Sequence, residues 1–152
     1  MSDSSIERVR ELSVTSLATL VAESERSGLR FVRRLTAEWI SGINRFDQPG
    51  EALYAARING EIVGACGLNV DPYTAEGRVG RVRHLYVMEA YRRHGVGRQL
   101  VAEVIGAARG SFDRLRLRTA SPRAARLYES LGFAPCAGEA DCTHALDLRV
   151  TR

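Results

Sequence analysis

The chain has 152 residues, the size of one compact domain, and no linker or composition break divides it, so a single domain over 1–152 is expected. Hydrophobic residues make up 45% and charged residues 26%, which excludes a disordered chain, and no apolar run approaches the ~20 residues that cross a bilayer. Met1 to Ile6 carry no apolar stretch of the secretory kind, so a cytoplasmic protein with no membrane partner is expected.

All 22 cationic side chains are arginine, since the chain contains no lysine. That excludes a P-loop lysine and a lysine Schiff base, although codon bias in a GC-rich genome is a sufficient cause. The charge is unevenly spread. Residues 78–126 hold twelve arginines against Glu89, Glu103 and Asp113, while the flanks 1–77 and 127–152 are net acidic. A basic middle between acidic flanks suits a centrally held anion, or a set of solvated arginine faces.

In chain order, residues 6–12 alternate as a short opening strand and 14–26 read as a helix that Gly28 interrupts. A second helix follows, with Leu29, Val32, Leu35, Trp39 and Ile40 on one face and Gly42 near its end. Residues 52–58 and 61–70 form two strands joined by Asn59-Gly60, a strong hairpin signal. Asp71-Pro72 breaks the second, and another strand covers 79–88. From Gly97, Leu100, Val101, Val104, Ile105 and Ala108 recur at helical spacing. Leu115, Leu117 and Thr119 alternate with arginines as a strand, Ser121-Pro122 caps and opens a helix that Gly132 ends, and 133–150 close as a hairpin. The pattern is α+β on a mostly antiparallel sheet.

The segment richest in chemistry runs from Val87 to Arg98. A strand ends, a polar turn follows, and Gly95 and Gly97 open an amphipathic helix. N–H groups at a helix start favour an anion, and glycines let a phosphate approach the backbone. A dinucleotide fingerprint would need a third glycine at position 100, where leucine stands. A Walker A loop needs lysine. What remains is Arg-x-x-Gly-x-Gly from Arg92 to Gly97.

With the apolar strand Leu85-Tyr86-Val87 before it, this motif resembles the signature of the GNAT acyltransferase superfamily, Arg/Gln-x-x-Gly-x-Gly/Ala. Ala124-x-x-Leu127-Tyr128-Glu129-x-x-Gly132-Phe133 is similar to the family's second motif, and the order of elements fits from about residue 6 to 150. The resemblance implies a central sheet of about six to seven strands flanked by four helices and splayed between its fourth and fifth strands. It also implies acetyl-CoA as acyl donor, with no metal.

Residue by residue, the resemblance implies that Arg92, Arg93, His94, Gly95, Val96, Gly97 and Arg98 hold the pyrophosphate. The backbone of Leu85, Tyr86 and Val87 would meet the pantetheine arm, and the Val87 N–H would polarise the thioester carbonyl. Tyr128 would protonate the departing thiolate, a phenol being protonated near neutrality; the other reading is a tyrosine packed on the sheet. Ser121 stands where the family often has asparagine, beside Ala124 in the same cofactor-facing stretch.

Many members carry a glutamate early in the fourth strand as general base, and this chain has none there. His84 has the intrinsic pKa for the role but reads equally as a satisfied strand histidine; Asp71, Glu76 or Glu89 could act through water. The family's acceptor region carries Glu38, Trp39, Asn44, Asp47, Glu51, Asn69, Asp71 and Tyr73 here, an acidic set that suits a cationic amine or a solvated face. Cys136 and Cys142 could face each other across the last hairpin and are expected as free thiols.

The expected function is direct acetyl transfer to a primary amine of a small molecule or peptide, in a protein of a kind that is commonly a homodimer. A catalytically silent acyl-CoA sensor is the alternative. Nucleic acid is not expected as a partner, since the basic residues lack interleaved aromatics beyond Tyr86 and Tyr91.

Overall fold

The computed structural model describes residues 4–149. Seven strands form one sheet in the order β1-β2-β3-β4-β5-β7-β6. They are β1 (Ser5–Arg8), β2 (Ala52–Ile58), β3 (Glu61–Val70), β4 (Val79–Val87), β5 (Arg114–Leu117), β6 (Ala134–Pro135) and β7 (His144–Asp147). Four helices flank it: α1 (Ala18–Arg26), α2 (Phe31–Ser41), α3 (Val96–Ala108) and α4 (Pro122–Ser130). Every strand pair is antiparallel except β4 with β5. This is the expected α+β architecture, with its splay in the expected place.

Two apolar clusters sit on opposite faces of the sheet. On one, Val96, Leu100, Val101 and Val104 of α3 pack with Val63, Cys66, Leu68, Val82, Leu115 and Tyr128. On the other, Leu20 of α1 and Val32, Leu35 and Trp39 of α2 pack on Leu53, Ala65 and Tyr86. Strands β2 and β3 are buried nearly throughout because helices cover both faces.

Several boundaries differ from the sequence reading for local reasons. Residues 14–17 are turns rather than helix, since the hydroxyls of Ser13 and Ser16 accept backbone N–H bonds from Thr15 and Ser13 and compete with helical pairing. Leu29 precedes α2, its N–H bonded to the Ser24 carbonyl, and Ile40 is turned 100° from Trp39 along the helix; both are exposed, at 38% and 44%. The first strand stops at Arg8, and Thr119 lies beyond β5.

The expectation of free thiols at Cys136 and Cys142 is corrected: the two form a disulfide, with their Cα atoms 6.5 Å apart. Pairing of Pro135 with His144, continued by the Cys136 N–H to the Thr143 carbonyl, brings both residues to the neck of the same loop. Cys66 remains a buried free thiol.

Candidate active site

The site is built around an interruption in one ladder. Strand β4 pairs with β5 only at Val79–Arg114, Gly80–Leu115 and Arg81–Arg116, then runs on to Val87 without β5 beside it. At the last paired rung two buried arginines converge on one acid. The Asp71 carboxylate, fully buried, lies 3.3 Å from Arg81 and 3.6 Å from Arg116 and accepts the Tyr73 N–H at 2.7 Å. Arg81 also stacks over the Tyr73 ring, 4.5 Å from its centroid. This charge cluster pins the closed end of the opening.

Above it β4 bulges. Ala65 pairs with Tyr86 and Gly67 with Arg83, so Cys66 alone faces both His84 and Leu85. His84 takes up the extra residue with a left-handed backbone, φ 62°, a conformation for which histidine is several-fold enriched. The bulge puts two consecutive side chains, Arg83 and His84, on the α2 face. Arg83 reaches the Asn69 carboxamide oxygen at 3.5 Å, and the His84 ring stacks on Phe31 and meets the Phe46 edge. Gly67 is required here, since a Cβ on it would lie 2.5 Å from the Phe46 ring.

His84 is confined. Burial first, then the charges of Arg83 and Arg34, push its pKa down to about 3. Its Nε2 is buried and has no hydrogen-bond partner among the described residues. The ring is therefore a neutral polar group packed on the α2 face, and a weak proton acceptor.

At the far end of β4 a short 3₁₀ turn, Glu89–Tyr91, leads to Gly95, which is left-handed at φ 83° and precedes the first residue of α3. A left-handed residue followed by a right-handed one turns successive N–H groups to one side, the geometry of an anion nest. No side chain caps α3, its first turn carries no acid, and the space that a Gly95 Cβ would enter is open. Arg92 turns inward: its Nε donates to the Val87 carbonyl at 2.8 Å and its guanidinium lies over the Tyr86 ring. Arg93 and His94 are exposed, and Arg98 bonds the Ser130 hydroxyl across to α4.

Tyr128 of α4 is buried edge-on against Phe133, with Cys66 beneath it on β3. Burial, with a smaller effect of Cys66, raises its pKa well above the ordinary phenol value, so its hydroxyl stays protonated. Burial likewise pushes the Cys66 thiol up to about 12, which keeps it un-ionised and a poor nucleophile. The Ser121 hydroxyl accepts the Ala124 N–H at 3.1 Å, so capping α4 occupies it.

The acidic set expected around the acceptor is largely committed to internal partners. Glu51 accepts the N–H groups of Gln48 and Val70, and Asp71 is held as described. Asn44 and Asn69 exchange two amide hydrogen bonds of 3.0 Å. Trp39 and Asp47 line a separate cleft of about 650 Å³ with Arg10, Leu12 and Arg45.

Sequence reasoning missed Glu23. Its carboxylate, on α1, accepts the Tyr86 hydroxyl at 2.5 Å and the Glu89 N–H at 2.9 Å, joining the end of β4 to the turn before α3. It missed the bulge as well, and with it the shared face of Arg83, His84, Phe31 and Phe46. Neither has a local signature: one is a contact 63 residues apart in sequence, the other a register shift.

The sequence pattern of the acetyltransferase (GNAT) family matches residues 14–133, and the chain belongs to that family. A candidate acetyltransferase from Exiguobacterium sp. 255-15 superimposes with a TM-score of 0.83 at 31% identity, over 95% of this chain and 93% of that one. The uncharacterized N-acetyltransferase YjgM of Escherichia coli K12 is 32% identical over 64% of this chain and 63% of its own length. The N-alpha-acetyltransferase RimI of Mycobacterium tuberculosis is 34% identical over 56% of this chain and 53% of its own. The chain thus spans between about half and two thirds of the length of these two relatives. No helix among the described residues is long and apolar enough to cross a membrane.

Proposed function

We propose that the chain transfers an acetyl group from acetyl-CoA to the primary amine of an acceptor, directly and without a covalent enzyme intermediate. The observation that carries this reading is the meeting of an opened β4–β5 edge with an uncapped helix start at Gly95, on one side of the sheet. The helix start supplies N–H donors for a pyrophosphate, with Gly97 close behind and Arg93, His94 and Arg98 around it. The unpaired edge of β4 through Leu85 and Val87 offers backbone groups to an extended amide-bearing arm. Acetyl-CoA has that arrangement of groups, diphosphate at one end and amide-rich arm toward the thioester.

In this reading the Val87 N–H points at the thioester carbonyl and stabilises negative charge as it grows on the oxygen. Tyr128 donates its proton to the departing sulfur, for which its raised pKa keeps it loaded. The depressed pKa of His84 argues against proton abstraction by that ring. The proton of the amine leaves to water instead. The reading implies the cytoplasm as compartment, where the Cys136–Cys142 pair meets reducing conditions, and a homodimer is testable by sedimentation.

One observation favours a silent acyl-CoA-binding module: no carboxylate touches His84 at the bulge among the described residues. The test covers both readings. Calorimetry should show acetyl-CoA binding that Gly97→Asp abolishes in a folded protein, since it adds bulk and negative charge beside the helix start while its Cβ needs the Leu127 side chain, 3.3 Å away, to give by only a few tenths of an ångström. Release of free CoA with a panel of amines then marks the transferase. Binding without turnover for any amine marks the module, and unchanged binding in Gly97→Asp overturns the site.

A further inference from the structure

We propose that the acceptor carries a carboxylate close to its reacting amine, held by Arg83 and Arg34 on the α2 side of the β4 bulge. The proposal rests on the acetyl-transfer reading and adds the chemical class of the acceptor to it.

The face around the bulge carries both acids and arginines. Its acids are engaged elsewhere: Glu51 by two backbone N–H groups, Asp71 by Arg81 and Arg116, Glu76 and Glu139 by Arg114, and Glu23 by Tyr86 and the Glu89 N–H. Asp47 lines the separate cleft beside Trp39. Glu38 lies one turn of α2 beyond Arg34, and no ion pair joins the two among the described residues.

Two cations are left nearest the bulge. Arg83 is half-buried, and its one side-chain partner is the neutral Asn69 oxygen at 3.5 Å, which already accepts a shorter bond from Asn44. Arg34 sits three residues after Phe31, so both project from neighbouring turns of one helix face. Neither arginine has an ion pair among the described residues. Arg83 adjoins His84 in the chain, and Phe31, one turn before Arg34 on α2, stacks on the His84 ring.

A half-buried guanidinium beside apolar rings is under-satisfied until an anion meets it, and its planar fork matches a carboxylate. In an α-amino acid the carboxylate and the amine are separated by a single carbon. One molecule can therefore set its carboxylate on Arg83 and present its nitrogen toward the unpaired edge of β4. A polyamine or aminoglycoside would instead bring cations to cations. The acidic set that suited a cationic amine or a solvated face in the sequence thus leaves room for an acceptor that also carries an anion.

The test compares L-amino acids with their carboxamides and with the corresponding decarboxylated amines, as acceptors for the intact protein with acetyl-CoA. The free acids should have kcat/KM at least ~10-fold higher than the carboxamides, as expected when a charged partner is lost. Arg83→Gln and the exposed Arg34→Gln should each raise KM for the acid, leave kcat and acetyl-CoA affinity nearly unchanged, and abolish the preference over the carboxamide. Arg83→Lys should restore part of it. Equal or faster turnover of the carboxamides or decarboxylated amines overturns the carboxylate assignment and leaves acetyl transfer standing. Acetyl-CoA binding with no turnover of any of the three forms, nor of a wider amine panel, overturns the transfer reading and this inference with it.

Discussion

The Glu23 carboxylate on α1 accepts a 2.5 Å hydrogen bond from the Tyr86 hydroxyl on β4, and its second bond, to the Glu89 N–H, holds the turn that leads into α3. One acid therefore couples the strand that would carry the thioester to the helix start that would carry the phosphates. Burial opposes its charge, but the Tyr86 hydroxyl, the Glu89 N–H and the charges of Arg92 and Arg26 outweigh that and hold its pKa below the ordinary value. The same pair, with burial as the first cause, pushes Tyr86 up to about 12.

Glu23→Gln should weaken both bonds and cost about 1–2 kcal/mol of stability at pH 7. Since the folded pKa is lowered, this contribution is complete above the ordinary carboxylate range and is lost as pH falls through the folded value. Urea unfolding of parent and variant at pH 7 and pH 4 should therefore converge toward the lower pH. Acetyl-CoA affinity should drop in the variant, because the turn before α3 loosens. A gap that grows on acidification would refute the role given to Glu23.

His84 adds acid sensitivity of the same sign, beginning at a higher pH. Its folded pKa of about 3 lies below the unfolded ~6.5, so between these values the unfolded chain binds the extra proton and stability rises with pH. At pH 5 this amounts to about 2 kcal/mol lost relative to pH 7.5. His84→Gln, which has no titrating group, should remove that part of the pH dependence. The kcat profile should carry no inflection near pH 6.5 from this residue, and one that disappears in His84→Gln would return the ring to the role of general base.

Tyr128→Phe takes one oxygen from a ring that keeps its packing on Phe133. Acetyl-CoA binding should survive, because the proton is needed only as the carbon–sulfur bond breaks. Turnover should fall by ~10²-fold or more. Equal kcat in the two proteins would leave water or the acceptor as proton donor.

Asp71→Asn strips the counter-charge from two arginines buried at the closed end of the β4–β5 opening. Breaking such a cluster from one side costs about 3–5 kcal/mol. Thermal unfolding should show the loss directly. The Asp71→Asn, Arg81→Met double variant should recover part of it, since it removes one of the stranded charges.

The elements that β-strand and helix periodicity can mark were legible in the chain: the hairpin at Asn59-Gly60, the capped helix after Ser121, and the glycine-opened helix at 95–97 all depend on residues a few positions apart. The family was legible for the same reason, since Arg92 to Gly97 and Ala124 to Phe133 are contiguous motifs. The character of the acceptor face was not. Acids at Glu51 and Asp71 suited a cationic-amine pocket or a solvated face alike until the fold matched them with backbone N–H groups and with Arg81 and Arg116. His84 read either as a base or as a satisfied strand histidine, and a one-residue bulge turns it, beside Arg83, into the space between Phe31 and Phe46. Cys136 and Cys142 read as thiols until the β6–β7 pairing joined them. Local sequence sets which residues are strand, helix or turn; the electrostatics of a site come from partners brought together across the sheet, and only the tertiary structure decides which charges are already answered.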